Sequence, residues 1–261
     1  MRYLFNVFPE MFGLLSKWTE GTDLPLAVHI TVWVIVAIIG YLLGSLNSAI
    51  IVSKWKFKQD IRSFGSGNAG LTNMHRVYGK EGALWTLFGD IAKQLVSVLI
   101  GSVILGRYGA YLAGAFCMIG HIFPVYYRFK GGKGVLTAAT MILLIDPMVF
   151  AVLFVIFALT LLITRYVSLS SIIAALIYPA ALKIANGNEI QVFELFFALF
   201  VGLLVIYMHR SNIFRIFNNQ ESKFSFRKKP EAKEIMDMED HENDADHTYY
   251  PPANEKKKKK K

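Results

Sequence analysis

Two glycine-rich, basic stretches carry the residue types suited to holding phosphate. The first runs from Ser45 to Gly79 and centres on Gly65-Ser66-Gly67-Asn68-Ala69-Gly70, followed by Thr72, Asn73, His75 and Arg76. Glycine lets backbone N–H groups approach an anion, Ser66, Asn68 and Thr72 offer neutral donors, and Arg76 supplies a planar fork. The second, from Gly120 to Gly134, ends in Phe129-Lys130-Gly131-Gly132-Lys133-Gly134 and runs straight into an apolar segment. A helix starting there would offer free N–H groups and the positive end of its dipole to an anion. It is not a Walker loop, because the spacing before Gly132-Lys133 is wrong and Gly134 stands where Ser or Thr would bind magnesium.

Two shorter groups have similar chemistry. Arg165-Tyr166-Val167-Ser168-Leu169-Ser170-Ser171 precedes a later apolar segment, and His209-Arg210-Ser211-Asn212 follows the last one. Ser168 reads as a helix cap. His209 reads as a partner of terminal carbonyls, as a ligand or as a general base. Basic loops of membrane proteins also arise for topological reasons, so each group taken singly has a structural reading beside the chemical one. Asp90 and Lys93 lie three apart and read as a helix-face pair or as functional intramembrane charges, with His121 equally open; His29 and His75 read as structural or interfacial. Neither H-E-x-x-H nor G-x-S-x-G occurs, and the H-x4-D match at His241 and Asp246 falls in an acidic tail, where it reads as chance.

The elements that must position these groups are membrane spans. Of 261 residues 54% are hydrophobic and the mean hydropathy is +0.41, above the range of ordinary soluble domains. The net charge of +9 gathers between the spans and in the tail, which suits anionic headgroups and phosphorylated substrates and makes nucleic acid the poorer partner. Cys117, the single cysteine, lies in an apolar stretch and reads as a buried inert thiol; no cofactor is called for.

Spans are expected near residues 26–43, 83–105, 108–127, 169–184 and 190–208, the first continuing toward Val52. The stretch 135–164 reads as two short tilted spans hinged at Asp146-Pro147. A single span would place Asp146 at its centre, at about 2.5–3.5 kcal/mol, and Pro147 in a helix interior. Seven spans result, and they gather the loops 54–81 and 128–133, the turn at Arg165 and the tail on one face. The positive-inside rule makes that face cytoplasmic and puts the N-terminus outside. Residues 1–25 are expected to form an interfacial, extracytoplasmic segment, residues 26–217 the membrane domain, and 218–261 a charged, disordered cytoplasmic tail.

Taken together, GSGNAGLTNMHRVYG, GHIFPVYYRFKGGKG, RYVSLSS and HRSN resemble, in order and spacing over residues 30–217, the bacterial acyl-phosphate:glycerol-3-phosphate acyltransferases, the PlsY family. The resemblance implies an all-α integral membrane protein with seven transmembrane helices and cytoplasmic active-site loops, in the bacterial inner membrane. It implies transfer of a fatty acyl group from acyl phosphate to the 1-hydroxyl of glycerol 3-phosphate, giving lysophosphatidic acid, with functional coupling to the synthase that makes acyl phosphate. Carried over by motif, Ser66, Arg76, Lys133, His209 and Asn212 are the expected catalytic residues. Gly67, Asn68, Thr72, Gly131, Gly132 and Ser171 are expected to bind or shape the phosphate site. Leu71 and Gln94 stand where the family commonly has Ala and Gly. His209 is either the base or a ligand in a substrate-assisted reaction. A transporter of phosphorylated metabolites is the alternative, disfavoured because no repeat is visible and the polar groups crowd one face rather than the midplane.

Overall fold

The computed structural model describes residues 13–14, 25–187 and 190–225, all helix and connecting loop, with no strand among them. Apart from Gly13 and Leu14, the expected interfacial segment lies outside the described residues, as does the chain beyond 225.

Helix α1, Leu26–Ser45, is 20 residues and about 30 Å long, a full bilayer core. Ile30, Val34 and Ile38 stay exposed, as a lipid-facing side requires, while Val36, Gly40 and Gly44 are buried. The apolar run does not continue unbroken to Val52. Asn47 interrupts it and caps α2, Ser48–Lys56, by accepting the Ile50 N–H at 3.1 Å.

The helical run Leu71–Ile122 is broken where Gly79 and Gly106 take φ 71° and 62°, which leaves three helices: α3 (71–78), α4 (80–105) and α5 (107–122). Gly106 turns α4 back on α5. Ser97 Oγ donates to the Ala113 carbonyl at 2.9 Å, Gln94 Nε2 to that of Gly114 at 3.2 Å, and Gly101 abuts Gly109. Pairs whose numbers converge on the turn mark an antiparallel hairpin. Against α5, α1 runs parallel, since Gly40 meets Ala113 and Gly44 meets Cys117. A Cβ on Gly44 would overlap the Cys117 carbonyl oxygen, and one on Gly120 that of Tyr41. Small residues here bring backbones close, the usual means of helix association in lipid.

Next come α6, Val135–Ile145, α7, Pro147–Thr164, α8, Val167–Asn186, α9, Val192–Met208, and the short α10, Arg210–Phe217. Asp146 ends α6 and caps α7 by accepting the Val149 N–H at 3.2 Å, with Pro147 in the first turn. Its other oxygen receives Asn186 Nδ2 at 2.9 Å, which puts the α6–α7 turn beside the end of α8. Lys133 ahead of α6 meets Asn212 of α10, and the carbonyl of Arg165, after α7, accepts the Phe224 N–H at 2.7 Å. So α6 and α7 run in opposite directions, hinged at Asp146-Pro147 as expected.

By length and apolarity alone, Leu26–Lys56, Leu71–Tyr127, Pro147–Thr164 and Val167–Asn186 qualify as spans, joined by the bent pair Val192–Met208 and Arg210–Phe217. The Gly106 hairpin makes two crossings of the second, and short α6 supplies another, so the seven-helix architecture holds. Two cores fix it. One joins α5 to α9 through Met118, Met141, Ile142, Val149, Leu182 and Val201. The other is small and lies under the basic loops, where Ile50, Ile61, Ala69, Met74 and Val77 pack together and Phe57 stacks on Tyr78 at 4.0 Å.

Gly44→Ala is expected to destabilise the fold by about 1–3 kcal/mol, because the added methyl meets backbone that cannot swing aside. Thermal unfolding of the detergent-solubilised variant reads this as a lower melting temperature, and an unchanged one would mean that α1 and α5 are not in close contact.

Candidate functional site

The first loop is built from inside. Asn73, 2% exposed, accepts the Ser66 N–H at 2.9 Å and donates to the carbonyls of Ile61 (3.4 Å) and Phe64 (3.0 Å). The turn thus wraps one buried amide, and Ser66, Asn68 and the first turn of α3 face outward. Arg62 fastens this loop to the next. It grips Asp60 through Nε (2.9 Å) and Nη2 (2.8 Å), and its Nη1 donates to the carbonyls of Tyr127 (2.9 Å) and Lys130 (3.3 Å). The Arg62 hydrogen bonds hold the Asp60 carboxyl down at about 2.

In the second loop, the N–H groups of Gly131 and Gly132 are spent on the carbonyls of Ile122 and His121, both at 3.1 Å. These glycines seat the loop rather than offering free N–H groups to an anion. A Cβ on Gly132 would overlap the His121 ring, and Gly134 has φ 77° at the entry to α6. Between them Lys133 turns inward and donates to Asn212 Oδ1. Burial lowers its pKa to about 8, with nearby Arg215 and Arg76 acting the same way against Glu221.

His209 stands at the 55° bend between α9 and α10. Its Nδ1 lies 2.8 Å from the Val205 carbonyl. A carbonyl only accepts, so the proton sits on Nδ1 and Nε2 offers a lone pair. Burial, then the Lys133 charge, lowers the His209 pKa to about 4, so the ring is neutral at pH 7. Asn212 completes the group by donating Nδ2 to Glu221 Oε1 at 2.6 Å.

Glu221 also accepts Ser168 Oγ (2.7 Å) and Arg215 Nε (2.7 Å). Burial alone would raise its pKa; the hydrogen bonds from Asn212, Ser168 and Arg215 outweigh this and hold it below the ordinary carboxylate value. Ser168 therefore does not cap α8, whose N-cap is Tyr166; it ties α8 to residues 218–225, which fold back over the site. Ser171 donates to the Val167 carbonyl at 2.9 Å.

Ser66, Asn68, Thr72, Arg76, Lys133, Ser171, His209 and Asn212 all line one cavity of about 1070 Å³. Gly67, Gly131 and Gly132 do not; they shape the loops behind it. The polar head narrows into an apolar body between α6, α7, α8 and α9, bounded by Ile142, Phe150, Leu153 and Tyr178. Leu143 of α6 and Phe154 of α7 line this body and are exposed. Such a space fits an anionic head with an aliphatic tail. Sequence reasoning missed Glu221, Ser168 and His75, which also line it. A signal for Glu221 was present: Asn218-Asn219 ends α10, with Asn219 at φ 57°, a helix-stop pattern that sends the chain back.

A family model described as glycerol-3-phosphate acyltransferase matches residues 34–219. The chain is 39% identical over 190 residues to the glycerol-3-phosphate acyltransferase of Thermoanaerobacter pseudethanolicus, covering 73% of this chain and 94% of that one. It is 39% identical over 203 residues to that of Staphylococcus saprophyticus, covering 74% and 98%. Among solved structures it is similar to PlsY (YgiH), an integral membrane glycerol 3-phosphate acyltransferase. The glycerol 3-phosphate form superposes with a TM-score of 0.69 at 35% identity, covering 74% of this chain and 96% of that one. The lysophosphatidic acid form gives 0.66 at 34%, with the same coverage. The four polar segments that converge on this cavity all fall within the matched residues, and the chain belongs to the glycerol-3-phosphate acyltransferase family.

Proposed function

We propose that the protein transfers a fatty acyl group from acyl phosphate to the 1-hydroxyl of glycerol 3-phosphate, releasing lysophosphatidic acid and phosphate. The observation that carries this reading is the single cavity in which Lys133, Arg76, Ser66 and Asn212 surround a polar head that continues into an apolar body. The site faces the cytoplasm of a bacterial inner membrane, where the enzyme that makes acyl phosphate would supply the donor; the uneven distribution of basic residues supports this orientation.

Acyl phosphate is a mixed anhydride with phosphate as leaving group, so a hydroxyl held in line can attack the acyl carbon directly and no acyl-enzyme is needed. The new ester C–O bond forms as the carbon–oxygen bond to phosphate breaks. Lys133 and Arg76 neutralise charge on the departing phosphate. The hydroxyl proton passes to the donor's phosphate. A neutral His209, with Nδ1 engaged by Val205 and low basicity at Nε2, is better suited to accepting a hydrogen bond from glycerol 3-phosphate than to keeping its proton.

Purified protein is expected to acylate glycerol 3-phosphate from acyl phosphate and not from acyl-CoA; preference for the thioester would overturn the donor assignment. Lys133→Ala should lower kcat/KM by about 10²–10³-fold. His209→Gln should raise KM for glycerol 3-phosphate while turnover stays within about tenfold, whereas a general base would cost about 10²–10⁴ in kcat.

The pH dependence follows from Lys133, whose pKa is lowered to about 8. Its charge is present below that value and lost above it, so kcat/KM should fall as pH rises through about 8. Lys133→Arg, which keeps its charge, should remove that alkaline limb. A profile flat to pH 10 in the parent protein would show that the Lys133 charge is not required.

A further inference from the structure

One buried cluster beside the cavity has no part in the chemistry above. Asp90 and Lys93 on α4 and His121 on α5 are 1%, 7% and 4% exposed. Lys93 Nζ donates to the carbonyls of Gly44 (3.1 Å) and Leu46 (3.0 Å), pairs with Asp90 Oδ1 at 2.9 Å, and lies 2.9 Å from His121 Nδ1. An ammonium has donors only, so this contact makes Nδ1 an acceptor. Asp90 Oδ1, at 3.6 Å from Nδ1, is too distant to take a ring proton. The proton of a neutral His121 therefore sits on Nε2.

That atom is at the junction of the two glycine loops. His121 lines the cavity, its Nε2 is packed against Gly132, and it has no hydrogen-bond partner among the described residues. Gly132 precedes Lys133 and also approaches the Ala69 carbonyl of the first loop, which Asn47 Nδ2 holds at 3.3 Å. With its tautomer set from behind and no acceptor from the described residues, this N–H is left to bond whatever occupies the cavity. Phosphate oxygens, drawn in by Lys133 next door, are suitable acceptors.

We infer that His121 Nε2–H is a ligand for the substrate phosphate seated between the loops, held as a neutral donor by the Lys93–Asp90 pair. The inference rests on the proposed phosphate chemistry of this cavity, and it adds a binding residue outside the four polar groups from which that chemistry was argued. It also gives the buried Lys93 a role beyond joining α1 to α4: it orients the ring.

The test uses the full-length protein in detergent with inorganic phosphate as the probe. Titrating phosphate into protein labelled with ¹⁵N-histidine should show His121 protonated at Nε2 and should shift that resonance, assigned by its absence in His121→Gln. In kinetics, His121→Leu should weaken inhibition by inorganic phosphate about tenfold or more. His121→Gln, whose amide can reach the Nε2 position, should stay within about threefold of the parent. A resonance unmoved by saturating phosphate overturns the inference, as does equal loss in both variants or an unchanged inhibition constant in His121→Leu. Should His121→Leu not fold, the resonance of the parent protein still decides. A parent enzyme that prefers acyl-CoA would defeat the donor assignment alone, since the phosphate titration does not depend on the donor.

Discussion

Lys133 is a half-buried cation at the head of α6, an 11-residue helix too short to cross a bilayer core unaided, and its neighbours answer the cost of that partial burial. Asn212 Oδ1 accepts a hydrogen bond from it, Glu221 supplies opposite charge, and Ser168 and Arg215 donate to that carboxylate. Burial still lowers its pKa to about 8, against the opposing charge of Glu221. On the proposed function, a phosphate arriving there would complete the compensation of a charge left only partly balanced. His209 stays neutral because it is buried, and a second cation beside Lys133 would add to the cost.

Holding these groups in register needs loops as rigid as helices. The small core of Ile50, Ile61, Ala69, Met74 and Val77 gives the first loop its own apolar anchor. Arg62 then carries that rigidity to the second loop through the Tyr127 and Lys130 carbonyls. Beneath them, α1, α4 and α5 are pressed together at glycines, where backbone carbonyls sit too close for any side chain. In lipid, where apolar surface gains little from burial against another helix, this close approach and the interhelical hydrogen bonds of Ser97, Gln94 and Lys93 hold the scaffold.

Much of this was legible from residue types. Asp146-Pro147 could not lie inside a span, and it proved to be a cap followed by a first-turn proline; that one reading fixed the parity and put all four polar groups on one face. The polar side chains that line the cavity were legible because charged, amide and hydroxyl groups at membrane ends are costly to keep without partners. The glycines were harder. Gly131 and Gly132 look like an anion nest in sequence, yet their N–H groups close onto carbonyls of α5, a tertiary choice that no local pattern encodes. Ser168 looked like a cap because serine often is one; its partner, Glu221, is 53 residues away. Charge density in the tail masked Glu221, since a composition that cannot form a core can still contribute one buried carboxylate.

The same geometry constrains how an amphiphile enters and leaves. The polar head of the cavity is closed over by residues 218–225, with Phe224 against the His75 ring at 5.3 Å and its N–H on the Arg165 carbonyl. The apolar body lies instead at the depth of the spans between α6, α7, α8 and α9, with α6 and α7 joined at the far end by the hinge at Asp146. A chain inserted sideways there keeps its methylenes out of water throughout, while its head travels only the short distance to Lys133. Withdrawing a long acyl chain through the polar mouth would expose each methylene at about 0.8 kcal/mol, which over a whole chain exceeds any binding energy that the loops could return. Lateral passage from the membrane is therefore the less costly route for a lipidic substrate or product.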